Sequence, residues 1–176
     1  MTDPDQPERP SLQEFRAGSD PRTLRDALGC FATGITIVTA LDDAGVPFGL
    51  TANSFTSVSL DPPLLLVCVA HTSSSAEKLR AAGHFAVNVL QAEQQELSRR
   101  FAQKIKDRFS ATPWTAGEHG LPVLDHALCS FECRRHEVVA AGDHFLLIGD
   151  VERARFEPQR EPLLYFRGQY RGLCPA

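Results

Sequence analysis

The sequence has 176 residues, of which 43% are apolar and 23% charged, and its formal net charge is -4 at pH 7. This length and apolar content fit one domain with a single hydrophobic core. Lys and Arg are scattered among Asp and Glu, which excludes the basic stripe of a nucleic acid-binding protein, and the apolar runs fall far short of the roughly 20 residues needed to cross a bilayer.

The N-terminal 20 residues differ in composition from the rest of the chain. Pro4, Pro7 and Pro10 stand there among charged residues with few large apolar groups. This composition predicts a mobile tail over residues 1–20 and one domain over residues 21–176. Because the tail has no apolar segment of the signal-peptide type, we expect the protein to stay in the cytoplasm.

The five cysteines give an odd count and no C-x-x-C pair. Cys129 and Cys133 lie four residues apart on a predicted strand, hence about 13 Å from each other, which is too far for a disulfide. The histidines likewise lack metal-ligand spacing. We therefore predict buried free thiols and no metal site.

The first regular element is predicted to be a helix. Asp20 is a good N-cap residue, Pro21 suits the first helical position, and the helix should run to about Phe31. An apolar stripe with a spacing of three and four residues is expected to face the core. Its members are Leu24, Ala27, Leu28 and Phe31.

A hairpin and a long extended segment should follow. Residues 35–41 are β-branched and alternating, which favours a strand, and a turn at 42–45 leads into a second strand from Val46. Small polar and apolar residues then alternate over 51–63, up to a Pro-Pro pair that interrupts strand pairing. We interpret residues 51–63 as an extended polar rim. Residues 64–70 are entirely apolar and predict a strand buried on both faces.

Two helices and a strand are expected in the middle of the chain. Ser74 and Glu77 have the spacing of a capping box, for a short helix ending at Gly83. Residues 84–90 alternate as a strand. Residues 92–105 predict an amphipathic helix with three residues inward, followed by a local basic cluster that includes Lys104 and Arg108. The inward residues are Leu97, Phe101 and Ile105.

The C-terminal third reads as a long loop and a hairpin. Residues 111–125 are rich in Gly and Pro and predict a loop that could act as a lid or a dimer contact. A strand from Leu128 and a second strand over 144–156 meet at Gly142-Asp143, a short-turn signal. A last strand is expected over 163–166.

The polar rim suits a particular kind of ligand. It offers neutral donors and acceptors without a charge, which fits a planar, heteroatom-rich ring system such as a flavin. Strands rich in Thr and Ser are also common edge strands of β-proteins, so residue chemistry alone leaves both interpretations open.

Three motifs in order narrow the choice. Read with Phe31-Ala-Thr-Gly-Ile-Thr36 before it and Gly142-Asp-His144 after it, the rim resembles the flavin reductase family with the FMN-binding split barrel, over roughly residues 22–172. The resemblance implies a mainly β fold, a split β-barrel with peripheral helices, and a homodimer. It also implies reduction of FMN or FAD by NADH or NADPH, and delivery of diffusing reduced flavin to a separate monooxygenase.

The resemblance implies roles for two sets of flavin-binding residues. One set would hold the phosphate, with compensating charge, and consists of Ser73, Ser74, Ser75, Lys104 and Arg108. The other would contact the ribityl chain and the pyrimidine edge of the ring, and consists of Thr36, Thr51, Ala52, Asn53 and Ser54. Residue chemistry alone leaves plain helix capping equally open for the serines and a solvated surface patch equally open for Lys104 and Arg108. It favours a turn or strand-end role for Asn53.

Two residues are candidates for nicotinamide binding. His144 follows the hairpin tip, where the resemblance associates it with the pyridine nucleotide, and Tyr170 could stack on a ring. A solvated histidine and a core tyrosine are the plain alternatives. Since the chain has neither a G-x-G-x-x-G motif nor a Walker A loop, a dinucleotide would bind without a Rossmann half. No protein acid or base is required as a catalytic residue.

Two other classes of function stay open. One is a flavin-binding electron carrier or storage protein without nicotinamide turnover. The other is a binding module that takes no flavin.

Overall fold

The structure, a computed structural model, describes residues 12–105 and 107–173. Within these ranges the chain is mainly β, as predicted. The helices are α1 (Pro21–Leu28), α2 (Ala76–Ala81) and α3 (Gln95–Ala102). The strands are β1 (Thr33–Gly34), β2 (Thr36–Leu41), β3 (Pro47–Ala52), β4 (Thr56–Leu60), β5 (Pro63–Ala70), β6 (His84–Val89), β7 (Trp114–Ala116), β8 (Pro122–Leu124), β9 (Cys129–Ala141), β10 (His144–Phe156), β11 (Leu164–Phe166) and β12 (Gln169–Arg171).

Seven strands form one antiparallel sheet in the order β3-β2-β6-β9-β10-β5-β4. The long hairpin β9–β10 lies near its centre. The hairpin β4–β5 is on one side of it, and β6 followed by the hairpin β2–β3 is on the other. The sheet curls until its two ends meet, because β3 also contacts β5. The Ser54 hydroxyl joins these ends: it donates to the Cys68 carbonyl and accepts from the Cys68 N–H, both at 2.9 Å. The sheet thus curves into a barrel, with β3 and β4 as its edge strands among the described residues.

The barrel interior is filled by alternate residues of the strands. Phe85 on β6 is fully buried, and its ring covers Gly149 on β10. A Cβ atom at Gly149 would lie 2.6 Å from the Phe85 ring and 2.8 Å from Cys133 Cβ. Position 149 therefore needs glycine so that the phenyl ring can reach the backbone of β10.

A smaller sheet packs beside the barrel. Its order is β1-β11-β12, and it belongs to a second apolar cluster together with Phe101 of α3. Tyr165 and Tyr170 meet edge to face across β11 and β12, with ring centroids 5.6 Å apart. This sheet forms one wall of the site described below.

Helix α1 begins as predicted but does not pack as predicted. The Asp20 carboxylate accepts from the Arg22 N–H, and Pro21 opens the helix. The helix ends at Leu28, no residue of it is buried, and Leu28 and Phe31 are 67% and 77% exposed. The prediction that this stripe faces the core is wrong. A spacing of three and four residues indicates that a helix has an apolar face, but it does not indicate which element packs against that face.

Strand β5 is buried on one face only. Leu65, Val67 and Val69 point into the barrel, while the residues between them are half-buried. The prediction of burial on both faces is wrong because no helix of the described residues covers this outer face of the sheet. An apolar run by itself does not distinguish the two situations.

The predicted caps and extent of the middle helices need correction. Helix α2 has Ser75 at its N-cap, and the Ser75 hydroxyl donates to the Gly49 carbonyl instead of capping the helix. The capping box of Ser74 and Glu77 is therefore wrong. Helix α3 ends at Ala102, which leaves Ile105 exposed and not inward.

The predicted loop over 111–125 is a hairpin. Strands β7 and β8 pair, with a short helical turn over Glu118–Gly120 between them. The turn is anchored by Glu132 of β9, which is 1% exposed, accepts from the Glu118 N–H and pairs with Arg155 at 3.3 Å. The composition of this segment predicted a loop, because the buried Glu132 carboxylate that holds the turn is distant in sequence and could not be recognised there.

Cys30, Cys68, Cys129 and Cys133 are free thiols, and Cys174 lies outside the described residues. Burial raises the pKa of the Cys133 thiol to about 12, so this thiol stays protonated and unreactive. Cys30 is exposed, so the expectation of burial is wrong for that residue. No helix in the described ranges is long and apolar enough to cross a membrane.

Candidate functional site

The edge strand β3 organises the candidate site. Gly49, Thr51 and Asn53 follow one another at every second position, at and just beyond the end of this strand. Residues at this spacing lie on one face and cover about 13 Å from the first to the last. Each of the three contacts a different part of the surroundings, so the strand acts as a spine along which an elongated ligand can lie.

One end of the spine is cationic and rich in hydroxyls. The Arg108 guanidinium donates to the Gly49 carbonyl at 3.2 Å and to the Ser74 hydroxyl at 3.5 Å. It also donates to the Gln103 carbonyl at 2.6 Å. Partial burial lowers the pKa of Arg108, but a guanidinium remains charged in proteins. We call Ser73, Ser74, Ser75 and Arg108 the phosphate corner.

The phosphate corner brings together most of the first predicted set. The Ser73 hydroxyl accepts from the Ser75 N–H at 3.3 Å, so the three serines form one turn before α2. Ser74 is exposed on the corner. Lys104 is exposed four residues before Arg108, so its assignment to the corner stays a prediction.

The second predicted set provides the frame of the spine. The Thr36 hydroxyl donates to the Ala52 carbonyl at 2.8 Å, and both residues are buried. The Thr51 hydroxyl donates to the Ser98 carbonyl of α3 at 2.7 Å. The hydrogen bonds between the Ser54 hydroxyl and Cys68 of β5 add to these, and together they fix the position of the backbone around Asn53. Among the five residues of this set, Asn53 is the exposed one.

The other end of the spine opens into a cavity of about 980 Å³, which we call the ring cavity. Asn53 lines it together with the smaller sheet, with α1 and with the segments before and after α1. The lining includes Leu12, Phe15, Cys30, Phe31, Thr33, Asn53, Tyr165 and Arg167. From the predicted tail, Phe15 and the largely exposed Leu12 also border the cavity, and residues 1–11 lie outside the described part.

Thr33 is a candidate that sequence reasoning missed. Its hydroxyl oxygen is buried and has no hydrogen-bond partner among the described residues. An unpaired buried hydroxyl is costly unless a ligand or water completes it. Thr33 lies within the motif from Phe31 to Thr36, and this position could have identified it as a candidate site residue. Thr33 and Asn53 both line the ring cavity.

His144 lies at the tip of the β9–β10 hairpin. Its Nδ1 is 2.7 Å from the Asp143 carboxylate, and this hydrogen bond lowers the pKa of Asp143. Because an ionised carboxylate only accepts, Nδ1 carries a proton and Nε2 is left for a ligand. The Asp143 carbonyl accepts from the His71 N–H at 3.0 Å, which ties this tip to the segment leading into Ser73.

Tyr170 lies in the smaller sheet, whereas His144 lies in the barrel sheet. The Tyr170 hydroxyl is 3.0 Å from the Ser98 hydroxyl, and its ring meets Tyr165 edge to face. These contacts account for a packing role. Stacking of Tyr170 on nicotinamide stays a prediction.

Comparison with known proteins identifies the family. The model of the flavin reductase like domain matches residues 28–174. The chain therefore belongs to the flavin reductase-like domain family.

Solved structures of this family have the same fold. NADH:FAD oxidoreductase SgcE6 of Streptomyces globisporus, in complex with NAD and FAD fragments, superposes with a TM-score of 0.87 at 40% identity, over 93% of this chain and 98% of that one. The flavin reductase PheA2 gives 0.83 at 38% identity, over 89% of this chain and all of the other. The split-barrel prediction is confirmed.

Curated relatives include reductase subunits. The stachydrine N-demethylase reductase subunit Stc3 of Rhizobium meliloti is 51% identical over 75% of this chain and 57% of its own length. The reductase subunit HsaB of a flavin-dependent monooxygenase of Mycobacterium tuberculosis is 41% identical over 89% of this chain and 84% of its own length. The chain spans about half the length of the relatives at 46 to 54% identity, namely 42%, 57% and 51%.

Proposed function

We propose that this chain is an NAD(P)H:flavin oxidoreductase. The observation that carries the proposal is the pairing of two unlike ends on one strand: Arg108 and the serines suit a phosphate, and Asn53 with Thr33 suits the heteroatom edge of a flavin ring. Bound flavin would accept hydride at N5 from nicotinamide C4. The protein would hold both rings in contact, align them and exclude water, without a protein acid or base.

The flavin and the nicotinamide are assigned by analogy. SgcE6 is described as an NADH:FAD oxidoreductase and was solved with NAD and FAD fragments, which supports FAD and NADH for this chain, with FMN and NADPH as the other pair to test. The ring cavity, at about 980 Å³, has a volume at the upper end of the range of small-molecule sites. Its lining includes the charged residues Arg25, Asp26 and Arg167.

The partner would be a separate monooxygenase that receives diffusing reduced flavin. In support, HsaB is the reductase subunit of a flavin-dependent monooxygenase, and Stc3 is the reductase subunit of stachydrine N-demethylase. We also propose a homodimer, supported by the apolar residues Leu24, Leu28 and Phe31, which lie exposed around α1. A cytoplasmic location follows from the need for NADH or NADPH.

The deciding experiment is a turnover assay. Catalytic amounts of protein with NADH or NADPH and excess FAD, FMN or riboflavin should give a sustained loss of absorbance near 340 nm. One equivalent of reduction without turnover would indicate an electron carrier or storage protein. Absence of flavin fluorescence quenching on mixing would indicate a module that takes no flavin.

We expect Asn53→Ala to raise the flavin dissociation constant by about two- to tenfold, since a net hydrogen bond contributes about 0.5–1.5 kcal/mol. Asn53 is exposed in the ring cavity, so the thermal unfolding midpoint should not change. Fluorescence quenching titrations measure the affinity. Thr56→Ala, at an exposed position on β4, is the control. An unchanged flavin titration for Asn53→Ala would contradict the assignment.

We expect His144→Ala to raise the KM for the pyridine nucleotide more than the KM for flavin. The reason is that Nε2 of His144 is available to the dinucleotide while Asp143 fixes the ring. Steady-state kinetics with each substrate varied in turn measures the difference. His126→Ala replaces another exposed histidine and should change neither KM. Equal effects on both constants in His144→Ala would show a structural role instead.

A further inference from the structure

Two histidines and a glutamate from three separate elements meet on the barrel surface. His84 begins β6, His119 lies in the turn between β7 and β8, and Glu152 is on β10. The two imidazole rings stack with centroids 3.8 Å apart, and His119 Nε2 is 3.3 Å from Glu152 Oε2. The potential ligand atoms of the three residues lie within 4.8 Å of one another.

This set of groups has the chemistry of a metal site. Imidazole nitrogen and carboxylate oxygen are common ligands of Zn²⁺, which often takes three protein ligands and leaves one position open. Zn–N distances of about 2.0–2.1 Å place tetrahedral ligand atoms about 3.3 Å apart. His119 and Glu152 already have this separation. The His84 ligand atom lies within 4.8 Å of the other two, and its ring, which stacks on that of His119, would reorient to complete the site.

The backbone beneath the cluster is fixed in advance. His119 has a φ of 55°, in the left-handed region that non-glycine residues seldom adopt, and strain of this kind concentrates at functional sites. The turn is held because the Glu118 N–H donates to the buried Glu132, and because Arg153 pairs with the Glu118 carboxylate at 3.1 Å. His119 is therefore presented by a rigid turn.

The other oxygen of Glu152 is oriented by a neighbouring side chain. Glu152 Oε1 lies 3.6 Å from Arg134 Nε, so the carboxylate is held with Oε2 toward His119. Arg134 is also paired with Asp150 at 2.7 Å, which balances its charge near the cluster. Such outer contacts commonly orient metal ligands.

We propose that His84, His119 and Glu152 form a binding site for a divalent transition metal ion, with Zn²⁺ as the representative case. A bound ion would fasten the β7–β8 hairpin to β6 and β10 of the barrel. The site shares no residue with the phosphate corner or the ring cavity, so it does not depend on the proposed reductase activity. The three residues are far apart in the sequence, which explains why ligand spacing does not reveal them.

The test is calorimetric titration of chelator-treated protein with Zn²⁺ in a reducing, non-chelating buffer. The Cys30→Ser variant serves as the background, because Cys30 is an exposed thiol. We expect one site per chain, and at least about a tenfold loss of affinity in His84→Ala and in His119→Ala, since changes in the outer contacts alone commonly cost about 10- to 100-fold. Thermal unfolding without metal verifies that each variant is folded.

His136→Ala is the matched control. His136 is another exposed histidine with a carboxylate partner, Asp150 at 3.1 Å, but it has no second histidine beside it. The affinity of the His136→Ala variant for Zn²⁺ should equal that of the background protein. Glu152→Gln keeps the shape of the third ligand and should weaken binding as well. The proposal is overturned if the background protein does not bind Zn²⁺, or if His136→Ala loses as much affinity as His84→Ala and His119→Ala.

Discussion

Replacing Arg108 by alanine should weaken FMN binding by about 10- to 100-fold and change riboflavin binding by less than about twofold. Hydrogen bonds from a charged donor contribute about 1.5–3 kcal/mol, and those proposed to reach the phosphate disappear in the variant. Riboflavin has no phosphate, so it does not meet the phosphate corner. Fluorescence quenching titrations of both flavins at one ionic strength measure the difference.

The control for this experiment is Lys104→Ala, which removes the same charge from an exposed side chain four residues away. It should lower FMN affinity by much less than Arg108→Ala, because an exposed charge is screened by solvent and salt. Equal losses for FMN and riboflavin in Arg108→Ala would mean that the guanidinium acts by holding the Gly49 carbonyl. FMN binding that is unchanged would show that the phosphate lies elsewhere.

The second large effect should come from the barrel core. Phe85→Ala should reduce the free energy of unfolding by about 3–5 kcal/mol, because the ring is fully buried and its removal leaves a cavity. Denaturant unfolding at constant protein concentration measures the change. Phe156→Ala makes the same substitution at a residue that is 75% exposed, and it should change stability by no more than about 0.5 kcal/mol.

A double-mutant cycle makes this prediction specific to the contact between Phe85 and Gly149. Gly149→Ala alone should destabilise the protein by about 1–3 kcal/mol, because its Cβ would lie 2.6 Å from the phenyl ring. In the Phe85→Ala background the ring is absent, so Gly149→Ala should reduce the free energy of unfolding by a smaller amount. Some loss remains, because Cys133 is also close to position 149. Strict additivity of the two single effects would contradict the described packing.

Local chemistry was sufficient to predict several elements of this fold. The Asp20 cap of α1 and the Gly142-Asp143 tip of the β9–β10 hairpin both arise from residues that are neighbours in sequence, and Gly142 has the positive φ, 61°, that such a turn requires. Errors came where distant partners decide the outcome. Periodicity could not show that the apolar face of α1 is uncovered, and composition could not show that Glu132 would order the β7–β8 hairpin.

The candidate site divides in the same way. The resemblance selected Ser74, Arg108 and Asn53, and the fold then placed the first two together at one end of β3 and Asn53 at the other. The internal hydrogen bond of Thr36 could not be predicted, because a hydroxyl in a sequence has no visible partner. Thr33 was not selected as a candidate, because a sequence does not show that a buried hydroxyl lacks a hydrogen-bond partner.

The strand order also has a consequence for synthesis on the ribosome. The hairpin of residues 36–52 pairs with β6 and the hairpin of residues 56–70 pairs with β10, which ends only at residue 156. At a translation rate of about 5–20 residues per second, roughly 4 to 17 s separate completion of β5 from completion of β10. During that interval, hydrogen-bonding edges of the nascent chain stay open, and chaperone capacity is expected to govern the yield of native protein.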